Sequence, residues 1–397
     1  TFGRYLVFSK LRRKMVATSV IADLCIYILT WNVGTHHPDE VSLTKALALN
    51  GTASCPNQQL PDIYGVALQE VNTEPKNQVR TIFQDDPWIF KVKNYLDSHD
   101  YVKVETEQLR GLLIMLFTQP QHIPHMKRIE SQSTRTGLGG LWGNKGAVSI
   151  RMSLYGTGVT FVGAHLAAHD NELKERIIDY NQIVDNHHYK QSQYHTIFDH
   201  DAIFWFGDLN FRLTGDDSAW DIRTLIENDK LTELIQRDQL LLVRETGNAF
   251  GLLEENLPTF PPTFKFVEGT SDYDLKRRPA WCDRILYRVV PNKYAGIKLS
   301  IQQLSYKSHP DYTLSDHKPV SSEFLYKIES EMSQSEELYA ITHENSAKTP
   351  TASVMIFSLS FYLMFFNMFL NAHLQNSTYI FVSFTPTRSI RPRILNC

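Results

Sequence analysis

The stretch IFWFGDLNFR, residues 203–212, is the most informative part of this sequence. Four large apolar residues run into Gly207, which is the pattern of a buried strand that ends at the glycine. Asp208 and Asn210 follow with one residue between them, and in an extended segment such residues project from the same side. The stretch therefore predicts a carboxylate and a carboxamide side by side at a strand end, where they can orient a water molecule and hold a phosphate oxygen.

Other short apolar runs in the chain have the same design, because each ends in polar residues or is bounded by them. Predicted strands lie at residues 24–29, 63–68, 112–117, 147–150, 159–163 and 202–206, and helical spacing occurs at 171–187 and 218–243. Many strands with few helices are typical of an α+β protein. We therefore predict two packed sheets flanked by outer helices.

Composition excludes some classes of protein. The chain has 397 residues, is 42% hydrophobic and 21% charged, and has a net charge of −3. These values are ordinary for a globular protein. They also lack the strongly basic character of a nucleic-acid-binding protein, so no nucleic acid partner is expected.

The cysteines predict a reducing environment. The chain has four of them, widely spaced and without a CxxC pair, so we expect reduced thiols and neither a disulfide framework nor a zinc knuckle. The glycosylation motifs at Asn50 and Asn376 are then interpreted as chance matches. The apolar run after the basic residues 10–14 is interrupted by Asp23, so no secretory signal is expected there.

The last part of the chain has a different composition. Residues 349–387 contain no Asp, Glu, Lys or Arg. Residues 354–374 would form a helix of ~31 Å, enough to cross a bilayer core of ~30 Å. A C-terminal membrane anchor, a disordered or mis-spliced tail, and a buried core helix are all compatible with this segment.

Two strand ends suggest a metal site. Asn32 and Glu70 each follow a predicted strand, and a carboxamide oxygen with a carboxylate suits a hard cation such as Mg²⁺. The alternative is that Asn32 caps a strand and Glu70 lies at the surface. His165 also follows a strand. With His169 it has the spacing of a zinc pair, but the strand before it argues against zinc. A lone histidine at a strand end is more often structural, and beside Asp208 it could instead donate to a phosphate oxygen.

A glycine-rich loop, TGLGGLWGNKGAV at residues 136–148, presents Asn144 and Lys145. Gly146 follows the lysine where a Walker loop would have Ser or Thr, yet a glycine-rich loop can still approach a phosphate closely. The apolar residues of the loop either pack beneath it or insert into a bilayer interface; they are Leu138, Leu141 and Trp142.

Two later motifs add cations and a histidine. The three cations at residues 276–278, in KRRPAWCDRIL, form either a solvated charged face or, with the nearby Lys265, a set that suits an anionic ligand. SDHKPV at residues 315–320 supplies His317. A carboxylate partner, for which we predict Asp283, would hold His317 in one tautomer and let it stabilise charge on a phosphoryl group.

Taken together, these motifs resemble the inositol polyphosphate 5-phosphatases, which belong with the DNase I-like nucleases to the endonuclease/exonuclease/phosphatase superfamily. The resemblance rests on TWNV, LQE, GNKG, HLAAH, WFGDLNFR, PAWCDRIL and SDHKPV, within residues 24–327. It implies a four-layer α/β/β/α sandwich of DNase I-like fold. It also implies hydrolysis of the 5-phosphate of phosphoinositide lipids at a membrane surface, of soluble inositol polyphosphates, or of both.

The resemblance also implies roles for individual residues. Glu70 with help from Asn32 would hold Mg²⁺, and Asp208 would orient or deprotonate the attacking water. The scissile phosphate would contact Asn210, His165 and His317, with Asp283 steadying His317. A neighbouring 4-phosphate would contact Lys265, Lys276 and Arg277, although the segment that carries these cations is shorter than is usual in the family.

The predicted organisation is an N-terminal extension at 1–22, the catalytic domain at 23–328, a polar linker at 329–349 and the hydrophobic tail at 350–397. We expect a cytoplasmic enzyme at the cytosolic face of endomembranes, attached there if the tail is an anchor. Two other functions stay open: a DNase I-like nuclease, and an inactive phosphoinositide-binding scaffold. The KRR cations before PAWCDR and the negative net charge argue against the nuclease, and the complete set of expected catalytic residues argues against the scaffold.

Overall fold

Strands dominate the part of the protein that its computed structural model describes, which is residues 18–39, 41–56, 59–71, 86–137, 145–190 and 193–331. In chain order they are β1 (Thr18–Asn32), β2 (Ile63–Gln69), β3 (Val102–Leu109), β4 (Leu112–Thr118), β5 (Met126–Arg135), β6 (Gly146–Leu154), β7 (Thr157–His165), β8 (Ala202–Asp208), β9 (Asp283–Val289), β10 (Ile297–Ser308) and β11 (Val320–Glu331).

These strands form two sheets. One has the strand order β10-β11-β1-β2-β4-β3 and the other has the order β5-β6-β7-β8-β9. Each sheet contains one parallel pair, β1 with β2 and β7 with β8, and the other neighbours are antiparallel. The strands predicted from the sequence all fall within observed strands.

Helices cover the outer faces of the sheets. They are α1 (Pro87–Asp97), α2 (Leu173–Asn186), α3 (Ala219–Glu227), α4 (Leu231–Ile235) and α5 (Gln239–Glu245), with 3-10 turns at Pro120–His125 and Ile197–Asp199. The helical spacing at 171–187 corresponds to α2. The longer run at 218–243 is divided into α3, α4 and α5.

Local capping explains that division. Ser218 and Asp221 form a reciprocal capping box at the start of α3, which satisfies backbone N–H groups that have no partner within the helix. Asp229 has a left-handed φ of 57° just after α3, a conformation that ends a helix. Asp238 accepts a hydrogen bond from the backbone N–H of Leu241 and so starts α5.

The alternation of side chains along β1 builds the layers. Ile26 and Ile28 point between the sheets and pack with residues of the other sheet such as Phe204. Tyr27 and Leu29 point outward and pack with α1 residues. Successive strand residues face opposite sides, so one strand contributes to two cores. Each fully buried large aliphatic residue contributes roughly 1.5–3 kcal/mol.

The second sheet repeats this pattern on its own outer face. Val162 and Trp205 pack there against Tyr180 and Ile183 of α2. The arrangement is therefore helix, sheet, sheet, helix, and the predicted α+β sandwich of four layers is confirmed.

A disulfide joins Cys25 in β1 to Cys55, with 5.7 Å between the Cα atoms. The expectation of reduced thiols is therefore wrong for these two residues. Sequence spacing did not indicate the pairing, because residues 30 positions apart become neighbours only when the chain after β1 turns back along the sheet. Asp62 reinforces the contact, since its carboxylate accepts a 2.7 Å hydrogen bond from the backbone N–H of Cys25.

We predict that replacing both cysteines by alanine lowers the free energy of unfolding by about 3–4 kcal/mol, because a cross-link over a loop of this length restricts the unfolded chain. Urea denaturation of the two proteins measures the difference. The matched control is reductant, which should destabilise the wild type and leave the double variant unchanged. Equal midpoints for the wild type with and without reductant would contradict the prediction.

The predictions for the chain ends lie outside the described residues. These are the N-terminal extension as far as residue 17, residues 332–349 of the linker and the whole hydrophobic tail. The described residues all belong to one structural unit, which ends at Glu331. The domain boundaries stay predictions. Among the helices that the structure describes, none has the length and apolar character needed to cross a membrane.

Candidate active site

Strand register places the central side chains of the site in one row. His165 at the end of β7 lies opposite Asp208 at the end of β8, and Asp208 lies opposite Asp283 at the start of β9. In the other sheet, Asn32 at the end of β1 lies opposite Gln69 at the end of β2, directly before Glu70. Because β1 and β2, like β7 and β8, are parallel, their C-terminal ends deliver polar groups to the same edge.

Gly207 is needed for this arrangement. It has a φ of +148°, and a Cβ atom built on it would lie 1.9 Å from the backbone oxygen of Ala164. No side chain fits at that distance, and the conformation is one that glycine adopts most readily. The glycine therefore lets β8 approach β7 closely just before Asp208.

Asp208 is the centre of the site and is almost completely buried. One carboxylate oxygen, Oδ2, accepts a 3.0 Å hydrogen bond from the Asn32 amide and lies 3.2 Å from Nε2 of His165. The other, Oδ1, accepts from the backbone N–H of Asn210 at 3.1 Å. Burial acts to raise the pKa of Asp208, but the charge of His317 and the His165 contact hold it well below its ordinary value, so the group is a carboxylate.

His317 and Asp283 form a buried pair. Nδ1 of His317 lies 2.9 Å from Oδ2 of Asp283, which also accepts from the Thr263 hydroxyl at 2.7 Å. Burial acts to lower the pKa of His317, but the carboxylates of Asp283 and Asp208 raise it to about 9. The imidazole is therefore protonated at neutral pH. The predicted partnership of His317 with Asp283 matches the geometry.

His165 is the neutral histidine of the site. Burial, together with the charge of Lys145, lowers its pKa below the ordinary value. Lys145 contacts Nε2 of His165, and burial lowers the pKa of Lys145 as well. The two histidines beside Asp208 therefore differ in charge at neutral pH, which sequence motifs do not show.

The loop that carries Ser315 and His317 is tied to the end of β1. The Ser315 hydroxyl donates to the backbone oxygen of Asn32 at 2.7 Å. The Trp31 indole donates to the backbone oxygen of His317 at 3.0 Å. These two hydrogen bonds hold residues 315–317, nearly 300 residues later in the chain, against the end of β1 at Asn32, a predicted metal ligand.

The site lines an open cavity of about 190 Å³. Its lining residues are Asn32, Glu70, Lys145, Ala168, His169, Asp170, Asp208, Asn210, Arg212, Phe264, Lys265, Arg277, Asp316 and His317. His165 and Asp283 do not line the cavity but contact its residues Asp208 and His317 from behind. Most of the predicted site residues are thus brought together.

Oxygen donors for a metal lie in the same cavity. Glu70 and Asn32 both line it with Asp208, and carboxylate and amide oxygens are the ligands that Mg²⁺ and Ca²⁺ prefer. Asp208, Asp283 and His317 also have ligand atoms within 4.8 Å of one another. We interpret this second group as a proton-linked cluster, because Nδ1 of His317 is already hydrogen-bonded to the Asp283 carboxylate. The residues present therefore fit a metal at Glu70 and Asn32.

Of the three predicted cations, two line the cavity and one does not. Lys265 lines the cavity and lies 2.8 Å from the carboxylate of Asp316, and Arg277 also lines it. Lys276 is exposed and is not among the lining residues, so its contact with substrate stays a prediction. The third cation of the run, Arg278, donates to the backbone oxygen of Leu213 at 3.2 Å and so has a structural role.

Four predicted residues lie outside the described part of the chain: Asn144, Leu138, Leu141 and Trp142. The two alternatives for the apolar residues, packing under the loop and insertion into a membrane interface, therefore stay open. Lys145 is the first described residue after that gap, and it lines the cavity; the role of the GNKG loop toward phosphate stays a prediction.

Sequence reasoning missed Arg212, which lines the cavity although it is buried. Its guanidinium donates to the side-chain oxygen of Asn210 at 2.6 Å and to the Asn210 backbone oxygen at 3.1 Å. The central carbon of the Arg212 guanidinium also lies over the Phe264 ring, 4.4 Å from the ring centroid. In the motif WFGDLNFR, Arg212 follows Asn210 by two residues. This spacing could have indicated that the arginine belongs to the site.

Buried charges on α2 support the segment after β7. Asp179 accepts a hydrogen bond from the backbone N–H of Ala167 at 2.8 Å, and Arg176 donates to the backbone oxygen of His169 at 2.7 Å. Both side chains are buried. They fix the segment that carries His165 and His169. The sequence reads as an ordinary amphipathic helix there, so nothing in it singled out these two residues.

The chain matches a family model described as Endonuclease/Exonuclease/phosphatase family 2 over residues 29–323. It is 36% identical over 313 residues to phosphatidylinositol 4,5-bisphosphate 5-phosphatase A of Rattus norvegicus, covering 76% of this chain and 31% of that protein. It is 34% identical over 327 residues to inositol polyphosphate 5-phosphatase K of Mus musculus, covering 78% of this chain and 67% of that protein. The chain belongs to the inositol polyphosphate 5-phosphatases.

Solved structures agree with this family. The inositol polyphosphate 5-phosphatase domain of SPsynaptojanin, crystallised with inositol (1,4)-bisphosphate and a calcium ion, matches with a TM-score of 0.66 and 30% identity. The match covers 82% of this chain and 92% of that domain. The Cimex nitrophorin ferrous NO complex matches with a TM-score of 0.60 at 23% identity, covering 77% and 99% of the two chains. That second likeness shows the fold alone, so function has to be argued from the site.

The chain spans about a third of the length of the first relatives that it matches. The predicted DNase I-like fold and the predicted 5-phosphatase family are both confirmed.

Proposed function

We propose that this protein is a Mg²⁺-dependent phosphomonoesterase that removes the 5-phosphate from a phosphorylated inositol ring. The substrates would be phosphoinositide lipids such as phosphatidylinositol 4,5-bisphosphate and 3,4,5-trisphosphate, soluble inositol polyphosphates, or both. One observation carries the proposal: Asp208, the His317–Asp283 pair and the metal-ligand candidates Glu70 and Asn32 converge on one cavity. The relatives' names support the substrate class.

Charge placement is the main task of such a site, because a phosphate monoester is dianionic and its transfer needs little covalent help from the protein. The protonated His317 and the amide of Asn210 would stabilise the transferring phosphoryl group. The neutral His165 contacts Asp208 and Lys145 but does not line the cavity, so it would position these two residues rather than contact the phosphate itself. A bound Mg²⁺ would add Lewis-acid stabilisation of the phosphoryl oxygens.

Asp208 was predicted either to orient or to deprotonate the attacking water. Its low pKa makes it a weak proton acceptor, and its carboxylate is held by Asn32 and the Asn210 backbone. These observations support orientation of the water as its main role. A rigid acceptor can place the water in line with the scissile bond without taking its proton in the ground state.

Phosphate release provides the direct test. With MgCl₂ present, the purified protein should release phosphate from inositol 1,4,5-trisphosphate or from short-chain phosphatidylinositol 4,5-bisphosphate. Excess EDTA should abolish this release. Duplex DNA and abasic DNA, assayed side by side, should stay intact. Cleavage of DNA without release of inositol phosphate would replace the proposal by the nuclease alternative, and binding without release of phosphate by the scaffold alternative.

We predict that Lys265→Met and Arg277→Met each raise KM for a 4,5-bisphosphorylated substrate by roughly tenfold, because a charge-assisted hydrogen bond contributes about 1.5–3 kcal/mol. The effect should be smaller for a substrate without the 4-phosphate. Steady-state kinetics on both substrates measures it. Lys276→Met should have a weaker effect than Arg277→Met, and Lys298→Met, at an exposed position of β10, serves as the control. Equal changes on both substrates would argue against a 4-phosphate subsite.

The source of the substrate needs its own comparison. Short-chain and bilayer-embedded lipid can be assayed with the full chain and with residues 1–345. If residues 354–374 anchor the chain, the truncation should lower the rate only on vesicles. Unchanged binding and rate on vesicles would remove the anchor interpretation.

The cytoplasmic location also stays a prediction, and the Cys25–Cys55 disulfide weighs against it.

A further inference from the structure

The turn between β1 and β2 carries a motif that phosphatase chemistry does not use. Asn50, Gly51 and Thr52 have the form Asn-x-Ser/Thr, which is the acceptor sequence for N-linked glycosylation, and all three are exposed. Gly51 has a φ of +78°, and a Cβ atom built on it would meet nothing within 4 Å. The turn therefore projects into open space, as an acceptor for a bulky oligosaccharide must.

The side chains of the motif already face each other. The Thr52 hydroxyl donates a 2.7 Å hydrogen bond to the amide oxygen of Asn50. The residue before the motif, Leu49, is buried, and its backbone N–H donates to the backbone oxygen of Thr44 at 2.9 Å. The acceptor thus sits on an ordered turn anchored by an apolar residue, with its amide at the surface.

The disulfide is an independent indication of the compartment. Cys55 lies five residues after Asn50 and pairs with Cys25, and both are buried. Disulfides persist in oxidising compartments and are rare in the cytosol. N-linked glycans are added in the same oxidising compartment in which such disulfides form. Two unrelated features of residues 25–55, the disulfide and the exposed glycosylation motif, therefore point to the same environment.

The remaining thiol of the described residues is compatible with that environment. Cys282 is completely buried. Burial raises its pKa well above the ordinary value, so it is neither accessible to oxidants nor present as a reactive thiolate. The part of the chain that the structure describes thus exposes no thiol that could form mixed disulfides.

The turn is also remote from the cavity. The backbone oxygens of Ala46 and Leu47 accept hydrogen bonds from the hydroxyls of Tyr27 and Tyr64. Tyr64 lies at the beginning of β2, whereas the cavity lies beyond the opposite end of that strand, at Glu70. An oligosaccharide on Asn50 would leave the cavity open.

We propose that Asn50 is an N-glycosylation site and that the chain folds in the oxidising lumen of the secretory pathway. In this reaction the amide nitrogen of Asn50 forms a bond to the anomeric carbon of an oligosaccharide carried on a lipid diphosphate. The bond from that carbon to the diphosphate oxygen breaks, the lipid diphosphate leaves and the amide nitrogen loses a proton.

Peptide mapping of the protein isolated from its own cells tests this modification. Treatment with peptide N-glycosidase in H₂¹⁸O should convert Asn50 to an ¹⁸O-labelled aspartate. Mapping without reductant should recover Cys25 and Cys55 as one linked pair. Unmodified Asn50, or alkylation of both cysteines before reduction, would overturn the proposal.

Variants of the full chain expressed in the same cells give a second readout. In a background that carries Asn376→Gln, which removes the second acceptor motif, Asn50→Gln and Thr52→Ala should each lose the glycosidase-sensitive shift in gel mobility and keep phosphatase activity within twofold of the parent chain. The matched control is Asn94→Gln, because Asn94 is exposed on α1 and has no Ser or Thr two residues later; it should keep the shift. A shift that persists in both Asn50→Gln and Thr52→Ala would show that the glycan is elsewhere and would reject Asn50.

Discussion

Asp208→Asn should lower kcat by at least 10³-fold, the upper part of the range for loss of a positioned acid or base group. The substitution keeps the size of the side chain but removes the negative charge that faces His317 and His165. In the wild type, Oδ2 of Asp208 accepts a hydrogen bond from the Asn32 amide. Asparagine offers one oxygen that can accept this bond and one amide nitrogen that can only donate. The attacking water then loses its acceptor and its orientation.

Binding of the inositol headgroup should survive this substitution, because it leaves unchanged Lys265 and Arg277, the predicted 4-phosphate contacts that also line the cavity. Calorimetric titration with a non-hydrolysable headgroup, alongside phosphate-release assays, separates the two effects. Asp185→Asn, at an exposed position of α2, is the control for loss of a carboxylate. Undiminished turnover in Asp208→Asn would remove Asp208 from the mechanism.

Asp283→Asn should lower kcat by roughly 10²–10⁴-fold, by comparison with the loss of the orienting aspartate in a catalytic triad. Asp283 holds Nδ1 of His317 at 2.9 Å and is a main reason why the pKa of His317 is raised to about 9 against the effect of burial. Without this carboxylate, His317 loses its proton at a lower pH. The variant should therefore lose the charge that faces the phosphate.

The pH profile tests that explanation separately from the rate. In the wild type, activity should fall as the pH rises through about 9, where His317 deprotonates. In Asp283→Asn the alkaline limb should move to lower pH. A structural defect alone would lower the rate without moving this limb, so an unchanged limb would contradict the role of the pair.

The raised pKa of His317 also makes the free energy of unfolding depend on pH, and the direction follows from the linkage between proton binding and folding. Because the folded-state pKa of His317 is raised above its ordinary value of 6.5, the stabilisation is fully present below pH 6.5 and is lost as the pH rises through about 9. The free energy of unfolding should therefore decline between these values in the wild type and decline less in Asp283→Asn.

Patterns among neighbouring residues predicted much of the fold and of the candidate site. The apolar run before Gly207 predicted β8 and the position of Asp208 at its end, because burial and strand geometry depend on neighbouring residues. The pairing of His317 with Asp283 was also predicted, although the residues are 34 positions apart, because the family motifs name both. The division of residues 218–243 into three helices was not predicted, since the caps at Ser218 and Asp238 are weaker signals than helical periodicity.

Local patterns and motifs were enough to predict which strands end in polar residues, the four-layer fold class, the family and most of the side chains that line the candidate site. The folded chain was needed to show the Cys25–Cys55 pairing, the charge difference between His165 and His317, and the hydrogen bonds from Arg212 to Asn210. The physical reason is distance along the chain. Strand periodicity is local, whereas a disulfide and a shifted pKa depend on which groups meet after the two sheets have packed and excluded water.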